Sequence, residues 1–302
     1  MISVSSIAIR ISWHYKRTSR FARYEDVDID ISALWADVNI GEKIDELHIF
    51  YDGYSVFDIG QIKNLPNLRT LEIEGTAPVN FSCFEYCGKK LRKLVLHCFI
   101  NEEVIHSISN VTSLRHLDLG NGSRSEIRDI SPLGKLKNLR TLVISGTLRE
   151  LSPIARLETL EDLTIFSDVL SDISVLGELK GLRKLEIYGA IDINLNALEE
   201  LTNSMQHLAV KVEYIDSLTM LVNLRHLELR AENIKDIRPL RNLRRVRYLE
   251  VSKNFWTSLQ IKRIAKELDL RVRKYSDYYI LDEEDEEDEE FYEFIRRLRH
   301  FH

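Results

Sequence analysis

Cysteine is scarce in this sequence, and long apolar runs are missing. Three cysteines, Cys83, Cys87 and Cys98, occur in 302 residues. So small and odd a number in so long a chain excludes a disulfide-stapled mini-domain and points to reduced thiols in a cytoplasmic setting. Cys83 and Cys87 are four apart, but no second pair completes a zinc site. No stretch approaches the roughly 20 apolar residues that a bilayer span needs. The first residues alternate apolar with polar and include Arg10, which makes a poor secretory signal. The Asn-x-Ser/Thr triplets at Asn80, Asn110 and Asn121 are therefore expected to stay unglycosylated.

An excess of one charge is also lacking over most of the chain. Lys and Arg total 42 against 48 Asp and Glu, a formal charge of -6. Nine of the acids form one unbroken run at 282–290, and without them 39 acids face 42 bases. A body so nearly balanced gives no bulk-charge argument for nucleic acid. Catalytic signatures are absent too: there is no Walker loop, dinucleotide fingerprint, nucleophile elbow or His-Glu-x-x-His. What is present is 44% hydrophobic and 30% charged residues, enough to bury a core and remain soluble.

Self-similarity is the main signal. The pattern apolar-x-x-apolar-x-apolar recurs from Ile44, Leu68, Leu91, Leu114, Leu139, Leu160, Leu182, Met205, Leu224 and Val246, at gaps of 19 to 25 residues. A second module, Asp-Ile-x-x-Leu, lies between copies, starting at Asp129, Asp172 and Asp236. In the copy from Leu182, Leu185 and Ile187 are two apart and share one strand face, while Lys184, Glu186 and Tyr188 take the other. One such strand cannot bury its apolar side alone; stacked units build a parallel sheet over a continuous core. The Asp-Ile module then brings the chain back, with Pro presetting a tight turn and Asp bonding nearby amides. The period leaves room for extended chain and short 3₁₀ turns. A turn or two of α-helix fits near 102–109 and 196–203.

These units resemble leucine-rich repeats, of the short type found in internalins and in a protein-phosphatase-1 regulatory subunit. The resemblance covers roughly residues 44 to 270. It implies an α/β solenoid, a curved right-handed superhelix with its parallel sheet on the concave face and 3₁₀ or irregular segments with few helices on the convex face. The family places Asn eight residues after the leading Leu. Of the ten equivalent positions here, only Asn254 keeps it, so the bends must satisfy their backbone otherwise.

The ends divide the chain further. Residues 1–43 are expected to cap the array, because 4–11 and 27–31 alternate like strands, as a hairpin or as degenerate repeats. The solenoid takes 44–273, closing with a helix near 258–267 and a strand at Leu270-x-Val272. Residues 274–302 form an acidic linker and an amphipathic helix with Phe291, Phe294, Ile295, Leu298 and Phe301 on one face. The acids are either a solvated linker or a contact for a basic partner such as histone tails. That arrangement is similar to the acidic nuclear phosphoprotein family, except that here an aromatic, basic helix follows the run. The run has no EF-hand spacing.

Candidate functional residues lie on the outward strand positions. His48, His97, His116, His207 and His226 are there, and His207 and His226 with Glu228 form a conceivable two-His-plus-carboxylate metal site. Surface His used for contact is the simpler reading. Arg69, Arg92, Arg115, Arg140, Arg183, Arg225 and Arg247 follow the leading residue of their units. Such a row can track a phosphate backbone. It can equally pair with Glu72, Asp118, Glu186, Glu228 and Glu250 along the sheet. Phe50, Phe166, Tyr188 and Tyr248 are outward aromatics, and Phe166 with Tyr188 should form one patch. Outward acids number eight, Glu46, Glu74 and Asp162 among them, against the four bases Lys93, Lys184, Lys211 and Arg230.

The expectation is a cytoplasmic, non-enzymatic scaffold that needs no cofactor. Its concave face would bind another protein of basic and apolar surface through Phe50, Glu72, Glu74, Asp118, Phe166, Glu186, Tyr188, His207, His226, Glu228, Arg230, Tyr248 and Glu250. Two alternatives stand beside it: a regulatory or immunity-like inhibitory subunit of one enzyme, and a metal-dependent hydrolase using His207, His226 and Glu228.

Overall fold

Strand alternation and a 22-residue rhythm together dictate a coil in which each turn contributes one strand. The computed structural model describes residues 6–12, 44–52, 57–75, 79–81, 83–84, 90–120, 127–190, 193–211, 215–229, 238–252, 263, 266–267 and 271–275. Its main sheet has twelve strands, each paired in parallel with its neighbours. In order they are β1 (Ser6–Ser12), β2 (Glu46–Asp52), β4 (Thr70–Gly75), β6 (Lys93–His97), β7 (His116–Leu119), β8 (Thr141–Ser145), β9 (Asp162–Phe166), β10 (Lys184–Tyr188), β11 (His207–Val210), β12 (His226–Leu229), β13 (Tyr248–Ser252) and β14 (Arg271–Tyr275). The short strands β3 (Phe57–Asp58) and β5 (Val79–Asn80) pair separately.

Register keeps equivalent positions side by side. Leu185 stands opposite Leu163 on one flank and Leu208 on the other, and all three are buried. The leading residues from Ile44 to Val246 line the same core. At the leading edge, one carbonyl per coil accepts two amides of the next: Arg92 O takes Arg115 N at 2.8 Å and His116 N at 2.9 Å, and the motif repeats along the sheet.

The return path is built on a period of three. Ile130, Leu133, Leu136 and Leu139 are buried, and the amides of Leu133, Leu136 and Leu139 each donate to the carbonyl three residues earlier, at 2.9–3.0 Å. A 3₁₀ turn eclipses residues i and i+3, so this spacing turns every third side chain to the core. The 3₁₀ turns Ser131–Lys135, Ser152–Arg156 and Ser174–Glu178 follow this scheme. As the sequence suggested, Asp129 and Asp172 each accept the amide two residues on, Ser131 N and Ser174 N, both at 2.8 Å. Asn194 does the same for Asn196 N at 2.9 Å.

One α-helix is described in full, α1 (Glu102–Ile108), where expected. Asn101 caps it by accepting Val104 N at 3.1 Å, and Val104, Ile105 and Ile108 face the core. The second expected α-helix is instead a seven-residue 3₁₀ segment, Leu195–Leu201. Period-three burial of Leu195, Leu198 and Leu201 fits the tighter winding. In place of the missing Asn, backbone bonds run on into the bends: Gly146 N donates to Phe166 O and Ser167 N to Tyr188 O. The Ser167 hydroxyl donates to Leu148 O. Gly146 is required there, since a Cβ would lie 2.4 Å from Ile127 O.

At the first end, β1 pairs in parallel with β2 and so extends the same sheet. The second alternation, 27–31, lies outside the described residues, as do the acidic run and the aromatic C-terminal segment. Of 258–267 only 263, 266 and 267 are described, and they are helical; β14 is the strand expected after them. No helix among the described residues is long and apolar enough to cross a membrane.

Because every coil borrows its core from its neighbours, one truncation is felt across three coils. Leu185→Ala should cost about 2–5 kcal/mol, read from the midpoint of urea unfolding with tryptophan fluorescence. A change under 0.5 kcal/mol would contradict the shared core.

Candidate functional site

The parallel register sorts the outward side chains into three rows across the sheet, with neighbours about 4.8 Å apart. The first row includes His116, Thr141, Asp162, Lys184, His207, His226 and Tyr248. The middle row includes His48, Glu72, Val95, Asp118, Val143, Thr164, Glu186, Ala209, Glu228 and Glu250. Phe50, Glu74 and His97 fall in the third row, as do Ser145, Phe166 and Tyr188.

In the middle row Glu72, Asp118 and Glu186 lie against basic side chains of their own or adjacent coils. Glu72 lies 2.7 Å from both His48 Nδ1 and Lys93 Nζ. Asp118 lies 3.3 Å from His97 Nε2, whose Nδ1 is 3.8 Å from Glu74. Asp118 also accepts Gly120 N at 2.9 Å. Glu186 is 3.1 Å from Lys184 Nζ and 3.0 Å from His207 Nε2, and accepts the Thr164 hydroxyl at 2.9 Å. The His207 nitrogen is close but makes no aligned hydrogen bond, so that contact is electrostatic. Glu228 is 6% exposed.

These surroundings move the proton affinities. Burial alone would raise the Glu186 carboxyl, but His207, Lys184 and Thr164 outweigh it and hold it down at about 2. Burial opposes the His97 cation, yet Asp118 and Glu74 raise its pKa above the ordinary value. His116 goes the other way, because burial outweighs the attraction of Asp118. Burial also raises Asp162.

Aromatic rings form two stacked ladders on either side of the middle row. In the third row Phe166 and Tyr188 stack at 4.9 Å between centroids, 15° apart in plane. In the first row His207 stacks on His226 at 4.3 Å and 10°, and His226 on Tyr248 at 6.0 Å. Between the two acid networks, the outward positions of β8 are Thr141, Val143 and Ser145, none charged. Gly120 opens room beside them. A Cβ there would lie 2.4 Å from Val143 Cγ1 and 3.4 Å from Phe166 Cε2. The sheet thus carries a neutral, apolar centre of Val143, Phe166 and Tyr188, with Gly120 beneath their edge.

No protein-family profile and no curated protein matches the sequence. Solved structures do. An internalin, InlF, from Listeria monocytogenes aligns over 82% of this chain and 72% of its own, with 21% identity and a TM-score of 0.58. The fold is the leucine-rich repeat solenoid. The leucine-rich repeat ectodomain of the Arabidopsis receptor kinase HAESA, solved in complex with an extended IDA peptide hormone, aligns over 72% of this chain and 40% of its own, with 19% identity and a TM-score of 0.51.

Within this leucine-rich repeat sheet the expected pairing of the arginine row differs from what is found. Glu72, Asp118 and Glu186 engage His and Lys of the open face, while Arg140 pairs with Glu161 at 2.6 Å and Arg92 donates to Ser113 O. The reason is geometric. The arginines precede the strands and lie at the leading edge, three residues before the middle row that holds the acids. The metal reading meets a similar obstacle. Near-parallel stacking sets the nitrogens of His207 and His226 side by side rather than converging on one ion. Among the described residues no group of three or more His, Cys, Asp or Glu is arranged to hold a metal. Arg230 lies outside the described residues. A hollow of about 640 Å³ lies on the return side, bordered by the Lys180–Glu200 ion pair at 2.7 Å, and has no aromatic lining.

Sequence reasoning placed Phe166 beside Tyr188 and His207 beside His226 correctly. It missed the His97–Asp118–Glu74 cluster, the Thr164–Glu186 bond and the opening at Gly120. Aligning the repeats column by column and comparing charges across neighbouring copies would have exposed the first.

Glu186 and His97 have opposite linkage. Glu186 titrates below its unfolded value of about 4.5, so its contribution is complete above that pH and lost as pH falls toward 2. His97 is raised above 6.5, so its contribution is complete below that pH and lost as pH rises through the elevated value. In urea unfolding from acid to mildly alkaline pH, the gap between the native chain and Glu186→Gln should shrink on acidification by on the order of 2 kcal/mol. The gap to His97→Asn should shrink on alkalinisation. Parallel pH profiles for all three proteins would contradict these networks.

Proposed function

We propose that the chain is a non-enzymatic recognition scaffold of a reducing, cytoplasmic compartment, holding a segment of a partner protein on the concave face of its sheet. The observation that carries this reading is the stacked Phe166–Tyr188 pair beside the uncharged outward positions of β8, with acids nearby that are already engaged by basic side chains. Stacked rings on a rigid sheet lose little rotamer entropy on binding, so they act as anchors. The flanking networks need no new partner and hold the floor in one arrangement. Glu46 and Glu74 keep exposure at the margin, which suits basic side chains beside an apolar anchor. Tyr248, 42% exposed at the end of the second ladder, offers a further ring.

The HAESA ectodomain, of the same fold, is recorded with a peptide ligand, and this supports a peptide-like segment as the ligand here. The buried Cys98 thiol, its pKa pushed up to about 12 by desolvation, stays protonated and takes no part in the proposed contact.

Affinity capture from native lysate, read by quantitative mass spectrometry, tests the site. Phe166→Ala with Tyr188→Ala should lower recovery of the captured partner at least about tenfold, as loss of two anchors implies. Because the partner's basic groups are also engaged, raising the salt should weaken native capture. Full retention of the same partner by the double variant would remove the site.

A further inference from the structure

Charge is ordered along the third row of outward side chains. Phe50, Glu74 and His97 stand in register on β2, β4 and β6, and Ser145, Phe166 and Tyr188 on β8, β9 and β10. Gly120 and Lys211 continue the row one alternation past Asp118 on β7 and Ala209 on β11. From Glu74 onward the row therefore runs acid, His97, two small residues, two stacked rings and a base. Both end charges are accessible. The Glu74 side chain is 53% exposed, and its one ion contact among the described residues is His97 Nδ1 at 3.8 Å. Phe50 stands beside Glu74 on the next strand, and an aromatic face next to a carboxylate favours a guanidinium or ammonium group. Lys211 is exposed and makes no hydrogen bond or ion pair among the described residues. Glu186, on the strand next to it, is already held by Lys184, His207 and Thr164.

We infer that the partner's segment lies across the strands along this row in a single register, with a basic side chain at Glu74, an apolar one on the Phe166–Tyr188 pair and an acidic one at Lys211. The inference rests on the concave-face reading and adds to it the order and spacing of the ligand's groups. Strand pitch sets the spacing. Glu74 on β4 and Phe166 on β9 are four strand spacings apart, about 19 Å, which an extended chain covers in about six residues. Lys211 lies one spacing beyond Tyr188, about 5 Å, so the acid falls about two residues past the apolar group. Because the two separations are unequal, the pattern is recognisable whichever way the segment runs: the near charge is acidic and the far charge basic. Opposite charges on either side of one anchor also disfavour segments with the reverse order, since both ends then meet like charge. Asp168, two residues past Phe166, is exposed as well, but it belongs to the bend and lies off the row.

Selection from a peptide library tests it. The probe is a phage library of random twelve-residue peptides, depleted on full-length Phe166→Ala with Tyr188→Ala and then panned on the native full chain. Depletion removes peptides drawn to other parts of the chain, so survivors depend on the two rings. On the native chain, survivors should carry an acid about two residues to one side of an apolar anchor and a base about six residues to the other. On full-length Glu74→Lys with Lys211→Glu the two charges should exchange places, and matched thermal melts would show that these exposed changes leave the fold intact. A synthetic, fluorescent copy of a native-chain survivor should bind the native chain at least about tenfold more tightly than the charge-swapped chain at about 20 mM salt. That ratio should shrink at about 500 mM salt, where the Debye length is only a few ångström. Survivors without this spacing, or with the same charge order on both chains, would overturn the inference and leave the concave-face reading standing. Native-chain survivors with a base two residues from the anchor would also overturn it, and would assign the near charge to Asp168. A library that yields no survivor would overturn both.

Discussion

Burial by neighbours is the constraint on which this molecule rests. A strand such as Lys184–Tyr188 has only Leu185 and Ile187 to turn inward, and both reach complete burial because Leu163, Ile165 and Leu208 stand in register beside them. The same dependence explains the doubled hydrogen bonds at the leading edge, where one carbonyl holds two amides of the following coil. It also explains the returns, whose period-three leucines are useful only if each coil lies directly over the last. Stability in such an array is approximately a sum of coil and interface contributions.

Register, once imposed by the core, decides what the open face can be. Residues separated by about one repeat in sequence become lateral neighbours, so Glu72 meets both His48 and Lys93 and Asp118 meets His97. Had these acids faced one another, repulsion would have opposed the stacking that the leucines demand. Their neutralisation divides the surface into regions of different character. An uncharged aromatic patch occupies the third row of β8 to β10, the acid networks adjoin it, and an edge rich in arginine stands apart from both. The chemistry of the open face follows from side-chain columns that the backbone holds at a fixed pitch.

The repeat and its strands were legible because apolar spacing alone carries them. Ten copies of one pattern and the Asp-Ile module sufficed for a parallel sheet with short 3₁₀ returns, including the Asx contacts of Asp129 and Asp172. Apolar spacing permitted a short α-helix at both Glu102 and Leu195, and only the first forms one, because a few apolar residues at i+3 fit an α-helix and a 3₁₀ turn almost equally. Shared columns also placed Phe166 beside Tyr188 and His207 beside His226.

The sequence by itself determined the coil, the strand faces and which residues share a column, since those follow from periodicity along one chain. Only the tertiary structure decided which acid meets which cation. That outcome depends on side-chain reach between neighbouring coils and on the three-residue offset that separates Arg140, paired with Glu161, from the row of Asp118 and Glu186. It also decided that Gly120 opens beside Val143 and Phe166, a relation across three strands that no spacing within one repeat records. Periodicity is a one-dimensional property and the face is two-dimensional, so the second dimension had to be built before its chemistry could be read.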